Sequence, residues 1–431
     1  MADAGADDEV ARLRAAVSLE TLLTPDRKEV QVVQAIIRQV RERGDDALAE
    51  FTSKFDGQTV PPERLRVSDE ELAGAPAKVD AGLLDAVRKS ITQVRAYQEH
   101  ILIRPAGPLK TERGTFEARY RPLRRVGICV PGAAAPLPST LIHTAVPAQV
   151  AGVKELAMVA PPRHGGDIHP VILAVAAELK ITDVYRVGGA QGIAALALGT
   201  KTVKPVDMIV GPGSVYTQIA KKELYGLINV ESFAGPSEVV SIADASANPA
   251  YVAADLLAQA EHAPGSAILL TPNAELAAAV HRELESQLAA LSRREATGRW
   301  LRELGALIVT RDLAEAARMA DTFAPEHLEI ATDNAPELAR QIDAAGAIFL
   351  GHYTPEAVGD YVAGPSHVLP TGGSARCFSG LACNDFLRRT SILCYDPSGL
   401  RLDADAAVAL ANAEGLDAHA RSVTIRTKQK E

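Results

Sequence analysis

The sequence predicts an α/β protein with two tandem Rossmann-like domains on parallel sheets, a helical N-terminal segment and a small C-terminal helical extension. From Gly127 onward, short apolar runs alternate with apolar stretches of helix length, in the βαβ order typical of parallel sheets. The alternation pauses after Val210 and starts again near Glu238, which indicates a second sheet. Apolar residues make up 47% of the 431 residues and charged residues 23%, as in an ordinary globular protein.

The N-terminal segment, residues 1–125, has a helical pattern over Asp26–Ile101, where Val30 and Val33 begin a series of apolar residues at helix spacing. Pro105, Gly107 and Pro108, within Ile103–Arg125, favour extended chain or a linker there. We expect this segment to pack on the sheet domains.

The first sheet domain is predicted at residues 126–234. Its predicted strands are Gly127–Val130, Glu155–Ala160, Asp183–Val187 and Val206–Val210, separated by helical stretches such as Val171–Leu179 and Ile193–Leu198. The second is predicted at residues 235–380, with strands Glu238–Ile242, Ala267–Thr271, Ala306–Thr310 and Ala347–Leu350 and helices Ala250–Glu261, Ala274–Leu288, Leu313–Ala320 and Pro336–Ala344. Residues 381–431 form the C-terminal extension, with an Ala-rich helix over Asp403–Ala413.

Charge and composition exclude several classes of protein. The net charge is −9 and no run of Lys and Arg could follow a phosphate backbone, so nucleic acid is not an expected partner. No apolar stretch is long enough to span a membrane, and the start MADAGADDEV is not a secretory signal. The four cysteines form no C-x-x-C pair or disulfide pattern, which favours a reduced, cytoplasmic protein.

A glycine-rich turn follows the third predicted strand. Gly188, Gly189 and Gly192 precede a helix, a position that suits an anion at the helix N-terminus. The spacing is not G-x-G-x-x-G, so glycine used only for the strand-to-helix turn is an equal alternative.

Gln259 and His262 close a strongly helical run and lie three residues apart, so both side chains project from one helix face. They could bind one metal ion, or they could cap the helix end before Pro264. Glu326 and His327 are an adjacent acid and base, which suits proton transfer but also suits the first turn of a helix.

Asp360 and His367 enclose an irregular stretch that could face a cleft or form a surface turn. Glu414 and His419 would lie about 140° apart on an ideal helix, so they converge only if Gly415 loosens the turn. The alternative is a solvated tail. Such nitrogen and oxygen ligands are compatible with zinc, and also with manganese or cobalt.

Taken together, these motifs resemble the histidinol dehydrogenase family from about Leu22 to Val423. The matching segments, in the family's order, are VPG at Val130–Gly132, PSTLIHTAVPAQVAGV at Pro138–Val153, GGAQGIAALALGT at Gly188–Thr200, GPG at Gly211–Gly213, AGPSEVVSIAD at Ala234–Asp244, DLLAQAEH, FAPEHLEI, GDYVAGPSHVLPT and EGLDAHARSV.

The resemblance implies oxidation of L-histidinol to L-histidine through an aldehyde, with two NAD used in succession. It implies one zinc ion, with Gln259, His262, Asp360 and His419 as ligands that also position the substrate. His327 would be the general base for the hydroxyl proton, and Glu326 would activate the water that attacks the aldehyde.

Ser237, His367 and Glu414 match substrate-binding positions of the family, as do the zinc ligands and His327. The family is an intertwined homodimer in which the C-terminal segment completes the partner's site. This would explain how Glu414 and His419 reach a zinc ion bound by earlier parts of the chain.

The sequence departs from the family on the cofactor side. Cys129 stands where Tyr is usual, Ser214 where Asn is usual, and Ala133 where Gly is usual, while Gln191 keeps its expected place. The stretch Val230–Ser232 also differs from the usual Ile-Asp start. We expect NAD contacts from Cys129, Gln191 and Ser214. The alternatives are a paralogue that oxidises another alcohol, such as a sulfopropanediol, and a catalytically silent zinc-binding protein.

Overall fold

The computed structural model describes residues 3–24, 27–132, 136–262 and 264–427. The chain forms two compact units, of which the first comprises Met1–Ile101 and Arg124–Phe386 and the second Leu102–Leu123 and Leu387–Glu431. The predicted α/β class with two parallel sheets is confirmed. The domain borders given above stay predictions.

Helices make up most of the N-terminal segment. They are α1 (Asp3–Val17), α2 (Leu19–Leu22), α3 (Lys28–Arg43), α4 (Asp45–Asp56), α5 (Asp69–Gly74) and α6 (Ala81–Ile101), with 3-10 turns at Pro62–Arg64 and Pro76–Lys78. Gly44 ends α3 at φ 56°, a left-handed conformation that favours glycine. The predicted helical pattern is therefore present but divided into separate helices.

The second unit contains an antiparallel sheet that the sequence pattern did not predict. Its strands are β1 (Leu109–Thr111), β2 (Gly114–Pro122) and, much later in the chain, β13 (Leu387–Tyr395), in the order β1-β2-β13. The predicted linker is thus a hairpin that pairs with the C-terminal extension. The extension continues with α17 (Pro397–Ala413) and α18 (Asp417–Thr427).

The first parallel sheet has the order β5-β4-β3-β6-β7. In chain order its elements are β3 (Arg125–Cys129), α7 (Pro138–Ala151), β4 (Glu155–Ala160), α8 (Pro170–Glu178), β5 (Asp183–Arg186), α9 (Gly189–Leu198), β6 (Met208–Val210), α10 (Val215–Leu224) and β7 (Asn229–Val230). Strand β3 is buried along its whole length, because helices cover a parallel sheet on both faces.

The second parallel sheet repeats this topology as β10-β9-β8-β11-β12. Its elements are β8 (Ser237–Ala243), α11 (Pro249–Ala260), β9 (Gly265–Thr271), α12 (Ala274–Ala290), α13 (Arg294–Leu304), β10 (Gly305–Val309), α14 (Leu313–Phe323), β11 (His327–Ala331), α15 (Ala335–Ala339), β12 (Ala347–Leu350) and α16 (Glu356–Tyr361), with 3-10 turns at Ser374–Arg376 and Cys383–Phe386. In each sheet the earliest strand is central and the chain winds outward in both directions, as in a nucleotide-binding half of a Rossmann fold.

The N-terminal helices complete the cores of both sheets. Val33 and Val40 of α3 are buried against α9 in the core of the first sheet. Leu13 and Val17 of α1 are buried in the core of the second. Burial of each such side chain stabilises the fold by roughly 1.5–3 kcal/mol.

A buried arginine fastens the N-terminal segment to the first sheet. Arg186 at the end of β5 is 1% exposed and forms ion pairs with Asp167 at 2.8 Å and Glu71 at 2.7 Å. It also donates to the carbonyls of Arg64 and Arg66. Its charge is therefore fully compensated within the first unit. Among the described helices, none is long and apolar enough to cross a membrane.

Candidate active site

The predicted acid–base pair lies at the amino-terminal edge of the second sheet. Helix α14 ends at Ala324, whose φ of 52° turns the chain back toward the sheet, and β11 begins at His327. Ser237 at the start of the adjacent strand β8 donates a hydrogen bond to the Glu326 carboxylate, as does the backbone N–H of Glu238 at 3.1 Å. Glu326 is thereby held in one orientation.

Burial raises the pKa of the Glu326 carboxyl well above its ordinary value, and the neighbouring carboxyls of Glu238 and Asp360 raise it further. The hydrogen bond from Ser237 opposes this shift. A buried carboxylate with a raised pKa is a stronger base than an exposed one, which suits removal of a proton from water.

His327 is enclosed by polar groups. Its Nδ1 lies 3.2 Å from Gln259 Oε1 and 3.7 Å from a Glu356 oxygen, and its Nε2 lies 3.8 Å from Asp360 Oδ1. Burial lowers the pKa of the imidazole to about 3, and the nearby His262 lowers it too. The ring is therefore neutral, and with the proton on Nδ1 its Nε2 can accept one from a substrate.

Ligand atoms for a metal converge beside this ring. One atom each of His262, Glu356 and Asp360 lie within 4.8 Å of one another. Helix α11 carries Gln259 in its last turn and His262 follows its end, while α16 places Glu356 and Asp360 on one face four residues apart. The structure thus brings the predicted ligands His262 and Asp360 together with Glu356, and places Gln259 beside Glu356.

The donor set fits a cation. Burial raises the pKa of Asp360 to about 7 and that of Glu356 well above its usual range, and neighbouring carboxyls raise the Glu356 value further. One end of the Gln259 amide lies 2.9 Å from both Glu356 oxygens, and with the nitrogen there it donates to both, while its oxygen accepts from the Glu238 N–H and the Ser237 hydroxyl. With the amide oxygen facing Glu356 instead, a cation or a proton on Glu356 would be needed. One histidine with oxygen ligands is a set that zinc accepts.

His367 lies in the segment after α16. Its Nδ1 is 3.9 Å from Asp360 Oδ1, and its side chain is mostly buried. Of the predicted substrate-binding residues, Ser237 therefore lies next to Glu326 and His367 lies next to Asp360. His327 lies between Gln259 and Asp360.

Glu414 and His419 belong to the second unit. Glu414 follows α17, His419 lies in the first turn of α18, and Gly415 between them has φ 71°. Both side chains are exposed. The predicted roles of His419 as a metal ligand and of Glu414 in substrate binding stay predictions.

The predicted NAD residues lie at or just beyond the carboxyl ends of three strands of the first sheet. Cys129 ends β3, Gln191 lies in the first turn of α9 and Ser214 precedes α10, so all three follow the ends of parallel strands. Ligands of such folds bind at this edge, where helix N-termini favour anions. Burial raises the pKa of the Cys129 thiol to about 11. Ala133 lies outside the described residues.

The loop after β6 is held by a buried ion pair that the sequence analysis missed. Lys221 Nζ lies 2.8 Å from Glu231 and donates to the Gly211 carbonyl, while the Gly211 N–H donates to Glu231. A side chain at Gly211 would collide with the Cys129 carbonyl, and its φ is 107°. Only glycine fits there, and the pair fixes the turn that leads to Ser214.

A sequence model of the histidinol dehydrogenase family matches residues 23–427. A histidinol dehydrogenase of Rhodopirellula baltica is 47% identical over 399 residues, which cover 93% of this chain and 87% of the relative. One from Geobacillus kaustophilus is 43% identical, covering 98% of this chain and all of the relative. The chain belongs to the histidinol dehydrogenase family.

The crystal structure of a histidinol dehydrogenase from Elizabethkingia anophelis superposes with a TM-score of 0.91 at 32% identity, covering 98% of this chain and 96% of that one. An acetylating aldehyde dehydrogenase from Geobacillus thermoglucosidasius shares only the fold, at a TM-score of 0.51 and 14% identity.

Glu356 lies beside His262 and Asp360, although no sequence motif indicated it as a site residue. The spacing of Glu356 and Asp360 on one short helix was a usable signal, since residues four apart share a helix face. His143, which contacts His367, was also missed, because an apolar helix gave no sign of what this imidazole touches.

Proposed function

We propose that this protein oxidises L-histidinol to L-histidine through L-histidinaldehyde, with two molecules of NAD per turnover, as the last step of histidine biosynthesis. The observation that supports this most directly is the buried acid–base pair Glu326–His327 beside the ligand atoms of His262 and Asp360. A structural metal site would have no use for such a pair.

Gln259, His262 and Asp360, with His419 of a second copy, would hold a zinc ion. Bound there, zinc would fix the imidazole and amino nitrogens of the substrate and so orient the alcohol. The carboxylate of Glu414 would suit the substrate's cationic amine. Ser237 and His367 would line the same pocket.

In the first oxidation His327 takes the hydroxyl proton of the alcohol. Burial lowers the pKa of the imidazole to about 3, so the ring is neutral and its Nε2 lone pair is free to accept the proton. NAD, bound at the carboxyl edge of the first sheet near Cys129, Gln191 and Ser214, would accept the hydride of each oxidation.

In the second half-reaction Glu326 removes a proton from the water that attacks the aldehyde. Ser237 and the Glu238 N–H keep its carboxylate oriented for this. Two different bases are suitable because the two steps take protons from different oxygen atoms.

We further propose an intertwined homodimer in which the C-terminal segment supplies Glu414 and His419 to the partner. Large apolar side chains of the second unit support this, because Leu393, Leu402, Leu410 and Ile425 are exposed there. The four free cysteines support a reducing, cytoplasmic location.

The test is NADH formation from L-histidinol by the zinc-loaded protein. We expect two NADH for each L-histidine formed. Turnover only with another alcohol, such as a sulfopropanediol, would favour a paralogue. If a correctly metallated dimer oxidises none of the alcohols tested, the result would favour the catalytically silent zinc-binding protein.

A further inference from the structure

His143 is a buried histidine in the middle of α7, a helix whose residues are mostly buried. It is 0% exposed. The adjacent Thr144 satisfies its hydroxyl within the helix by donating to the Thr140 carbonyl at 2.7 Å. The His143 imidazole instead turns to another part of the chain, and a buried imidazole in such a place requires partners.

Its partner is the segment that carries the site. The backbone N–H of His367 donates to His143 Nδ1 at 3.3 Å, and the two imidazole rings stack with centroids 4.4 Å apart and planes 21° from parallel. The Ser366 hydroxyl donates to the His143 carbonyl at 2.9 Å. One residue of α7 therefore contacts two consecutive residues of the segment.

The His143 ring also lies close to the beginning of the same segment, near the carbonyls of Tyr361 and Pro365. Since Nδ1 accepts a hydrogen bond, the proton of the neutral ring is on Nε2, which makes no hydrogen bond to the described residues. Burial lowers the pKa of His143 to about 4, so the ring stays neutral at working pH. The His143 ring thus lies between the two ends of the segment 361–367, which begins directly after Asp360.

Helix α6 holds this stretch from a second direction. Ser90 Oγ donates to the Tyr361 carbonyl at 2.5 Å. A Cβ at Gly364 would approach Tyr97 to 2.7 Å, and the φ of 115° is one that other residues rarely adopt. The backbone is therefore fixed at Tyr361 and Gly364 by α6, and at His367 by His143.

We infer that His143 is a positioning residue of the substrate pocket: it fixes the ring plane and backbone of His367 and, through the segment 361–367, the place of Asp360. This inference rests on the proposed function. His143 touches neither the acid–base pair nor the NAD edge, so its loss should weaken substrate binding more than it slows chemistry.

Two substitutions separate the two contacts. His143→Phe keeps a ring that can stack but removes the acceptor, while His143→Asn keeps an acceptor but removes the stack. Thr144→Val is the matched control, because Thr144 is buried in the same helix and its hydroxyl donates to carbonyls of that helix. Both His143 variants should raise the KM for L-histidinol by about tenfold while kcat falls less than about threefold. The KM for NAD should not change.

Hydrogen exchange of the zinc-loaded protein gives a second readout that needs no turnover. The amide of His367 should exchange about tenfold faster or more in His143→Phe than in the wild type or in Thr144→Val. An unchanged KM for L-histidinol and unchanged exchange in both variants would overturn the inference. So would equal changes in the Thr144→Val control. If the wild type does not oxidise L-histidinol, the proposed function fails, while the exchange measurement still tests the role of His143.

Discussion

The two ring nitrogens of His327 face different side chains. Nδ1 faces Gln259 and Glu356, and Nε2 faces Asp360. Asparagine can keep a hydrogen bond to Gln259 but has no ring nitrogen that can accept a proton. We therefore expect His327→Asn to lower kcat by at least 10²-fold, the usual contribution of a general base. Metal analysis should give the wild-type zinc content, and loss of zinc in this variant would mean that His327 is a ligand.

At the same scale, the sequence predicted the chemistry of Gln259, His262 and Asp360 but not their neighbour Glu356. Motif matching finds residues whose identity the reaction requires. It does not find those whose position arises from packing, such as His143, whose partner His367 lies 224 residues away along the chain. Contacts of that kind depend on how α7 packs, and no local spacing encodes this.

Among the elements, sequence patterning missed two strands of the parallel sheets: β7, which has only two residues, and β11. Its Glu329 is buried, which breaks the apolar run expected of a central parallel strand. The structure compensates for this, because Ser241 Oγ on β8 donates to one Glu329 oxygen at 2.6 Å and the Glu356 N–H donates to the other at 3.2 Å. The antiparallel sheet of the second unit was missed for another reason: β2 and β13 are exposed strands, separated by both parallel sheets along the chain.

Glu329 of β11 and Asp255 of α11 form a pair of buried carboxyls, which should make stability depend on pH. Burial, and then Asp255, raise the pKa of Glu329 to about 8. Between about pH 4.5 and 8 the unfolded chain loses a proton that the folded chain keeps, so this group lowers stability as pH rises, by up to about 1.4 kcal/mol per unit. Glu329→Gln keeps both hydrogen bonds, since its amide can donate to Ser241.

Urea unfolding of zinc-loaded protein at pH 6 and pH 8 should therefore show a smaller loss of stability in Glu329→Gln than in the wild type. Glu337→Gln, an exposed glutamate on α15, is the control and should behave as the wild type does. Equal pH slopes in the two variants would contradict the raised pKa.

The turn between β6 and α10 depends on the buried pair Lys221–Glu231. Lys221→Met leaves the Glu231 carboxylate buried without a cation, which should cost about 3–5 kcal/mol of stability. Glu231→Gln can still accept the hydrogen bond from Gly211. The double variant Lys221→Met with Glu231→Gln should therefore lose less than the sum of the single losses. Urea unfolding of the four proteins measures this difference, and additive losses would show that the two side chains do not interact.

At the scale of the whole molecule, the proposed dimer assigns His327 and His419 of one site to different chains. Co-expressing His327→Asn and His419→Ala chains with different affinity tags tests this assignment. In a mixed dimer one site combines the unaltered His327 of the His419→Ala chain with the unaltered His419 of the His327→Asn chain. The second site carries both substitutions. Random pairing makes half of the dimers mixed, so about a quarter of the sites should be functional.

Neither variant should be active alone, so activity near half of the wild-type value in the doubly purified mixed dimer, where one of the two sites is intact, would establish the exchange. If His419 acted within its own chain, every site in the mixture would carry one lesion and no activity would return. His327→Asn mixed with Glu326→Ala is the control, since both lesions lie in the first unit and no pairing yields an intact site. Recovery in this control would point to a different division of the site between chains.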